Sequence, residues 1–320
     1  MEKVIIGICT AKRPQMLRAS LRSLANNTAP IETDVEIVVC DNEEKPNNRN
    51  IVVEFSRNCP FIVHYIHEPP RGIPQARNAI VAKALELNAA WLAFIDDDET
   101  ATAQWLVNLL LAARVYGADT VGGPVIRRYP EKMPFWGVKR RPPPHATFMD
   151  GEVVNMLPTY NVLASMRLFH SAPAGMGLRF DERLAFCGGE DTQLGMQAVA
   201  QGAHMIWTTK AVVHETMCLS RLTYTHNLRL AYHHGMQQFI LLPMIPDDCH
   251  VTKSRLAVRA FREAINALVR IPALPVLAVA SPATFKRKAL AAGWSLAYAA
   301  GTFVGLAGVN SNYYKKIDGY

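Results

Sequence analysis

The sequence predicts an α/β protein: a mostly parallel central sheet with helices on both faces, followed by a C-terminal helical region that associates with a membrane. Three observations predict it. Apolar runs of strand length at residues 4–9, 35–40 and 91–95 alternate with stretches of helical spacing and short turns, the pattern of parallel strands joined by crossover helices. Half of the 320 residues are apolar and 19% are charged, which argues for a filled core and against disorder. Beyond about residue 219 the composition shifts to basic amphipathic and charge-free apolar segments.

The elements follow in order. Residues 4–9 read as a buried strand, residues 10–14 as a turn, and Leu17, Leu21 and Leu24 then recur at helical spacing. A second strand, 35–40, ends in Asp41-Asn42; a third, 61–66, leads through a Pro/Gly-rich turn to a helix from about Pro74 to Leu87. No GxGxxG follows the first strand, which disfavours a dinucleotide-binding domain. After the strand 91–95 a helix is expected over 103–116, then a strand over 119–126. The basic, proline-rich stretch 127–145, with Phe135 and Trp136, fits neither a regular helix nor a central strand. Strand-like residues 161–164, a helix 192–201 and strands at 205–207 and 211–215 complete the sheet-forming part. A basic amphipathic helix over 219–238 and another over 254–270 follow. The stretch 271–285 carries no charge, Lys286-Arg287-Lys288 interrupts, and 289–309 is again charge-free, about long enough to span a bilayer. Membrane contact is favoured there over an ordinary core helix, with spanning the less favoured form of it.

The charge balance of 34 Lys and Arg against 27 Asp and Glu, a net +7, suits anionic partners without choosing among phosphates, nucleic acid and acidic lipid. Six scattered cysteines without a CxxC pair support neither a zinc site nor a disulfide framework, and reduced thiols are expected. The N-terminal apolar run has no plausible cleavage site, so no signal peptide is expected.

Chemistry is expected where the apolar strand 91–95 runs into Asp96-Asp97-Asp98-Glu99. Ligands of open α/β sheets bind at the carboxyl ends of strands, and adjacent carboxylates are most easily tolerated around a divalent cation. The bland alternative is a solvated acidic turn capping the next helix.

Several features in one order carry a resemblance. They are the segment 8–14 with Thr10 and Arg13, the strand-end Asp41, Gly72-Ile73-Pro74-Gln75-Ala76-Arg77-Asn78, the triple aspartate, Asn161-Val162-Leu163, Gly188-Gly189-Glu190-Asp191 and His214. Together they resemble the family 2 inverting glycosyltransferases with a GT-A fold, most of all enzymes that build bacterial exopolysaccharide repeat units of the succinoglycan glucosyltransferase type. The resemblance implies a nucleotide-sugar-binding catalytic domain over 1–216 and a membrane-associated helical region over 217–320. It implies that Thr10, Arg13, Asp41, Arg77, Asn78, Asp96 and Asp97 bind the UDP-sugar donor, and that Asp98 and His214 hold Mn²⁺ or Mg²⁺. Asp191 is implied as the general base that takes the acceptor proton, with Glu190 binding acceptor hydroxyls or steadying the loop. The implied acceptor is a lipid-linked saccharide at an anionic membrane surface, the cytoplasmic face of a bacterial inner membrane, with the enzyme peripheral or monotopic; no nucleic acid is expected.

For single residues plainer roles stay open. Asp41 can be a turn-former, Arg77 a structural partner of an aspartate, His214 a structural histidine and Asp191 a helix cap. Two rival functions also remain. A sugar-nucleotide pyrophosphorylase should carry a Gly-rich basic loop after the first strand, where only Gly7 stands. A noncatalytic nucleic-acid- or membrane-binding module should carry a clustered basic patch or a known motif, and none is present.

Overall fold

The computed structural model describes residues 1–133, 136–139, 147–155, 159–244, 251–309 and 311–315; Phe135, Cys249 and residues 140–145 of the basic proline-rich loop lie outside the described residues. The elements run β1 (Glu2–Thr10), α1 (Pro14–Ala25), β2 (Thr33–Asp41), α2 (Arg49–Ser56), β3 (Ile62–His67), α3 (Ile73–Glu86), β4 (Trp91–Ile95), β5 (Glu99–Ala101), α4 (Trp105–Tyr116), β6 (Thr120–Gly122), β7 (Val125–Arg128), β8 (Asn161–Ser165), α5 (Glu190–Ala200), β9 (Met205–Trp207), β10 (Val213–Thr216), α6 (Tyr224–Leu241), α7 (Lys253–Arg270), α8 (Leu274–Ala280) and α9 (Pro282–Leu306). Among the described residues seven strands form one sheet in the order β3-β2-β1-β4-β8-β6-β9. Only β8 runs against its neighbours β4 and β6. A second sheet, β5-β10-β7, stands beside the first.

The apolar runs follow from burial on both faces. Side chains alternate along a strand, so Val4, Ile6 and Ile8 of β1 meet Leu17, Leu21 and Leu24 of α1 and Trp105, Leu106 and Leu109 of α4 on one face. On the other, Ile5 and Val38 meet Ile80, Val81 and Ala84 of α3 together with Phe94 and Phe180. Each fully buried side chain of this size stabilises the fold by about 1.5–3 kcal/mol. Asn161 joins the layers: its Oδ1 accepts from Trp105 Nε1 at 2.7 Å, and its Nδ2 donates to the carbonyls of Ala211 at 2.8 Å and Pro124 at 3.1 Å.

Two expectations need correction. Residues 119–126 are not one strand: Gly123-Pro124 breaks the run, and β6 and β7 belong to different sheets. The helix expected from residue 219 begins as a 3-10 turn, Leu219–Leu222, and α6 starts only at Tyr224, where Thr223 accepts a hydrogen bond from His226 N and caps it. One side of α6 is buried along α9, with Asn227, Ala231, His233 and Met236 inside, while Arg229 and His234 are exposed. Lys286-Arg287-Lys288, the charged interruption between the two charge-free stretches, lie inside α9.

The small residues of α9 serve close packing. A Cβ on Gly301 would stand 1.9 Å from Tyr232 O, and one on Gly235 of α6 would stand 2.2 Å from Tyr298 O. The outward apolar face lies instead on α7, where Val258, Phe261, Ile265, Leu268 and Val269 are exposed beside exposed Arg255, Arg259 and Arg262. By length and composition the helices Lys253–Ala280 and Pro282–Leu306 are both long enough and apolar enough to cross a membrane, the second with 39% of its apolar window buried.

Candidate active site

The chain leaves β1 toward β2 on one side and returns from β3 to β4 on the other. That reversal opens a crevice at the carboxyl ends of β1 and β4, where doubly wound sheets bind ligands. A cavity of about 460 Å³ occupies it. Thr10, Arg13, Asp96, Asp97, Asp98 and Glu99 line one side, and Gly188, Gly189, Glu190 and Asp191 line another.

The strand-end carboxylates are matched with arginines from distant parts of the chain. Asp97 accepts from Thr10 Oγ1 at 2.9 Å and pairs with Arg13 at 3.1 Å. Asp98 Oδ2 takes two guanidiniums, Arg13 at 3.1 Å and Arg221 at 2.8 Å. Arg221 also lies 3.5 Å from Glu215, whose other oxygen accepts from Arg127 Nε at 3.0 Å. Burial pushes the Asp97 carboxyl up to about 7, against the opposing pull of Arg13. Burial also drives Glu99 well above the usual carboxylate range, and Asp96 and Asp98 add to it.

Across the cavity, Glu190 and Asp191 open α5. Glu190 is buried and paired with Arg77, which also lies 3.7 Å from Asp96 and so links the two acidic groups. Burial raises the Glu190 carboxyl to about 7 even with Arg77 beside it. Asp191 accepts only locally, from Thr192 N at 2.7 Å and Thr192 Oγ1 at 3.3 Å, and has no ion pair among the described residues. Gly188 and Gly189 hold φ values of +64° and +90°, in the left-handed region that favours glycine. Their missing side chains leave room for Tyr314, at 2.6 Å from a Cβ on Gly188, and for Leu241 and Gln237, at 2.9 and 3.0 Å from one on Gly189.

Three of the expected site residues stand outside this cavity. Asp41 is fully buried and accepts from Asn48 N at 2.8 Å, Asn48 Nδ2 at 3.1 Å and Tyr65 Oη at 2.9 Å, so it secures the loop after β2; its neighbour Asn42 lines the cavity instead. Asn78 clasps the backbone of Phe180, donating to its carbonyl at 2.9 Å and accepting from its amide at 3.0 Å. His214 points away because neighbouring strand residues face opposite sides, and Glu215 takes the cavity side. Its Nδ1 is buried without a partner among the described residues, and burial lowers its pKa. Arg77 reaches the cavity but is buried as the partner of Glu190 and Asp96.

The remaining lining includes residues the sequence reading passed over: Glu215 and Arg221, and Tyr313 and Tyr314 near the C-terminus. Arg221 was visible only as one of several basic residues after 219, and the tyrosines carried no positional signal.

A divalent cation suits the chemistry of this floor. Its donors are carboxylate oxygens, the Asp96 side chain is 42% exposed, and the crowding that raises Asp97 and Glu99 would be relieved by positive charge. Among the described residues no three ligating side chains converge on one point. Mg²⁺-type sites need only one or two carboxylates, the rest coming from substrate oxygens and water.

In comparisons with known proteins, the model of the family described as "Glycosyl transferase family 2" matches residues 5–173. The succinoglycan biosynthesis protein ExoM of Rhizobium meliloti (strain 1021) is 34% identical over 210 residues, covering 66% of this chain and 65% of that protein, so the match spans a little under two thirds of the relative's length. Among solved structures, residues 1–349 of S. aureus TarS in complex with UDP align over 95% of this chain and 91% of that one, at 15% identity and a TM-score of 0.52. GalNAc-T7 with UDP, GalNAc and Mn²⁺ aligns over 75% of this chain and 51% of that one, at 13% identity and a TM-score of 0.55. At such identities these two structures speak for the GT-A fold alone.

Proposed function

We propose that this chain, which belongs to glycosyl transferase family 2, transfers a hexose from a UDP-sugar, glucose being the favoured donor sugar, onto a lipid-linked oligosaccharide in exopolysaccharide biosynthesis. The observation that carries the reading is one cavity with two unlike acidic sides: a strand end whose carboxylates are bridged by arginines, and a helix start whose Asp191 has no ion pair among the described residues. The first side suits a nucleoside diphosphate, with Thr10, Arg13, Asp96 and Asp97 about it. Asp98, with Asp96 beside it, would hold Mn²⁺ or Mg²⁺, which supplies neutralisation of the charge building on the departing diphosphate.

Asp191 then acts as the base. An acceptor hydroxyl gives its proton to the carboxylate as its oxygen bonds to the anomeric carbon, while the bond from that carbon to the diphosphate oxygen breaks. One displacement of this kind inverts the anomeric centre. Glu190, buried against Arg77, orients the start of α5 rather than touching the acceptor.

Residues 1–216 carry the reacting groups in the proposal, and residues 217–320 add Arg221, Tyr313 and Tyr314 to the cavity and hold the enzyme at the cytoplasmic face of a bacterial inner membrane, peripherally or as a monotopic protein. The exposed Phe261 and Leu268 of α7, flanked by arginines, suit insertion at an anionic lipid surface.

The test is release of UDP from a panel of UDP-hexoses and UDP-acetamidohexoses in Mn²⁺ or EDTA, with glycolipid acceptors present, by the parent, Asp98→Ala and Asp191→Asn. Metal-dependent release lost in both variants supports the reading and names the donor. No binding or turnover of any donor, with variants indistinguishable from the parent, sinks it.

A further inference from the structure

The family match ends at residue 173, yet the cavity is closed by residues near the far end of the chain. Ser311 Oγ is hydrogen-bonded to His233 Nδ1 at 2.7 Å, Tyr314 N donates to Phe186 O at 3.0 Å, and Arg71 Nη2 donates to Lys315 O at 3.1 Å. Residues 311–315 are therefore tied at three points: to α6, to the loop preceding the two glycines, and to the turn before α3. The Tyr313 ring stacks on His233 at 4.6 Å with 14° between planes, and its hydroxyl is hydrogen-bonded to His226 Nε2 at 3.1 Å. Tyr314 stands edge-on to Tyr313 at 5.0 Å and packs on Gly188, three residues before Asp191.

We propose that residues 311–315 form a strap across the cavity and that Tyr314, backed by Tyr313, is the platform on which the sugar ring of the acceptor rests. The proposal rests on the transferase reading and deepens it by assigning an acceptor-specificity residue. Position supports it: an acceptor hydroxyl that reaches Asp191 brings its ring past Gly188, and Tyr314 covers Gly188. Chemistry supports it as well, since a pyranose ring has a face of C–H groups that packs on an aromatic ring while its hydroxyls stay with polar groups. Gly188 has a second use in this arrangement. Any side chain there would displace Tyr314.

The experiment uses the full chain in a detergent without a sugar headgroup, with UDP bound. The probes are n-octyl β-D-glucopyranoside and n-octyl β-D-galactopyranoside below their micelle concentrations, and saturation-transfer NMR reads their ring protons. The parent should saturate the ring protons of at least one probe. Tyr314→Phe should stay within about twofold, and Tyr314→Ala should bind roughly three- to tenfold more weakly, the size of an aromatic contact. UDP affinity should stay the same in all three, which also certifies their folding. Equal ring saturation in Tyr314→Ala and the parent, or none with either probe, overturns the proposal. So does loss of UDP binding in Tyr314→Ala with a folded protein, which would make the strap a donor element. A parent that does not bind UDP counts against the transferase reading itself.

Discussion

The two acidic sides of the cavity are built differently. Asp97 and Asp98 at the end of β4 are held by Arg13, from the turn after β1, and by Arg221, from 123 residues further along than Asp98. Among the described residues Glu190 has a single arginine and Asp191 only the amide and hydroxyl of its own neighbour. The first side still holds more carboxylates than arginines, so in the proposal a divalent cation completes the charge balance there before a diphosphate is bound. The second side leaves one carboxylate uncommitted, as a base must be.

The largest effect expected from this contrast is at Asp191. Replacing it by Asn should lower kcat by roughly 10²–10⁴-fold while UDP affinity stays within about twofold, checked by turnover and by calorimetric titration of UDP. A matching loss of UDP affinity would erase the division of labour. Asp98→Ala comes next: kcat/KM should fall by roughly 10²-fold, and the ratio of UDP affinities in Mn²⁺ and in EDTA should move toward one. Equal metal responses in variant and parent would show that Asp98 serves its two arginines alone.

A smaller effect concerns Glu190 and pH. Its native carboxyl, raised by burial to about 7 from the ordinary glutamate value of 4.5, binds a proton more tightly than the unfolded chain does. Its contribution to stability is therefore complete below about pH 4.5 and is lost as pH rises to about 7. Glu190→Gln should flatten that part of the Tm profile by a few degrees in a thermal melt. A parent that gains stability through this group over the same window would reverse the sign. Least of all, His214→Ala should leave donor turnover within about threefold, since Glu215 and not His214 faces the cavity. A loss of a hundredfold would return His214 to the site.

Much of the fold is legible in the sequence because β1, β2 and β4 are buried on both faces, which forces continuous apolar runs. The short α2 and the three-residue β5 leave no periodic signal long enough to read. The split between β6 and β7 had its sign in Gly123-Pro124, but a turn residue inside an apolar run does not say that the next strand joins another sheet. At the cavity, Thr10, Arg13 and the three aspartates come together because they share the ends of two adjacent strands. Asp41 lies on a strand end too, yet Asn48 and Tyr65 occupy it, a matter of local partners that spacing does not encode. His214 and Glu215 differ by one position on a strand, and that position decides which face each takes. Arg221 and Tyr314 arrive by tertiary packing over long separations, beyond the reach of any local pattern.

The antiparallel β8 also fixes an order of events during synthesis. The strands β3, β2, β1 and β4 can pair as soon as residue 95 has emerged, but β4 then ends the sheet with Leu92, Phe94 and Ile95 at an open edge. Its partner β8 begins only at Asn161, and β6, made in between, pairs among the described residues with β8 and β9. At ordinary elongation rates of about 5–20 residues per second, the nascent half-sheet waits roughly 3–13 s with that edge unpaired. An apolar edge strand is a template for pairing with other chains. A pause of the ribosome between residues 95 and 161 would lengthen that wait and favour aggregation on the edge of β4.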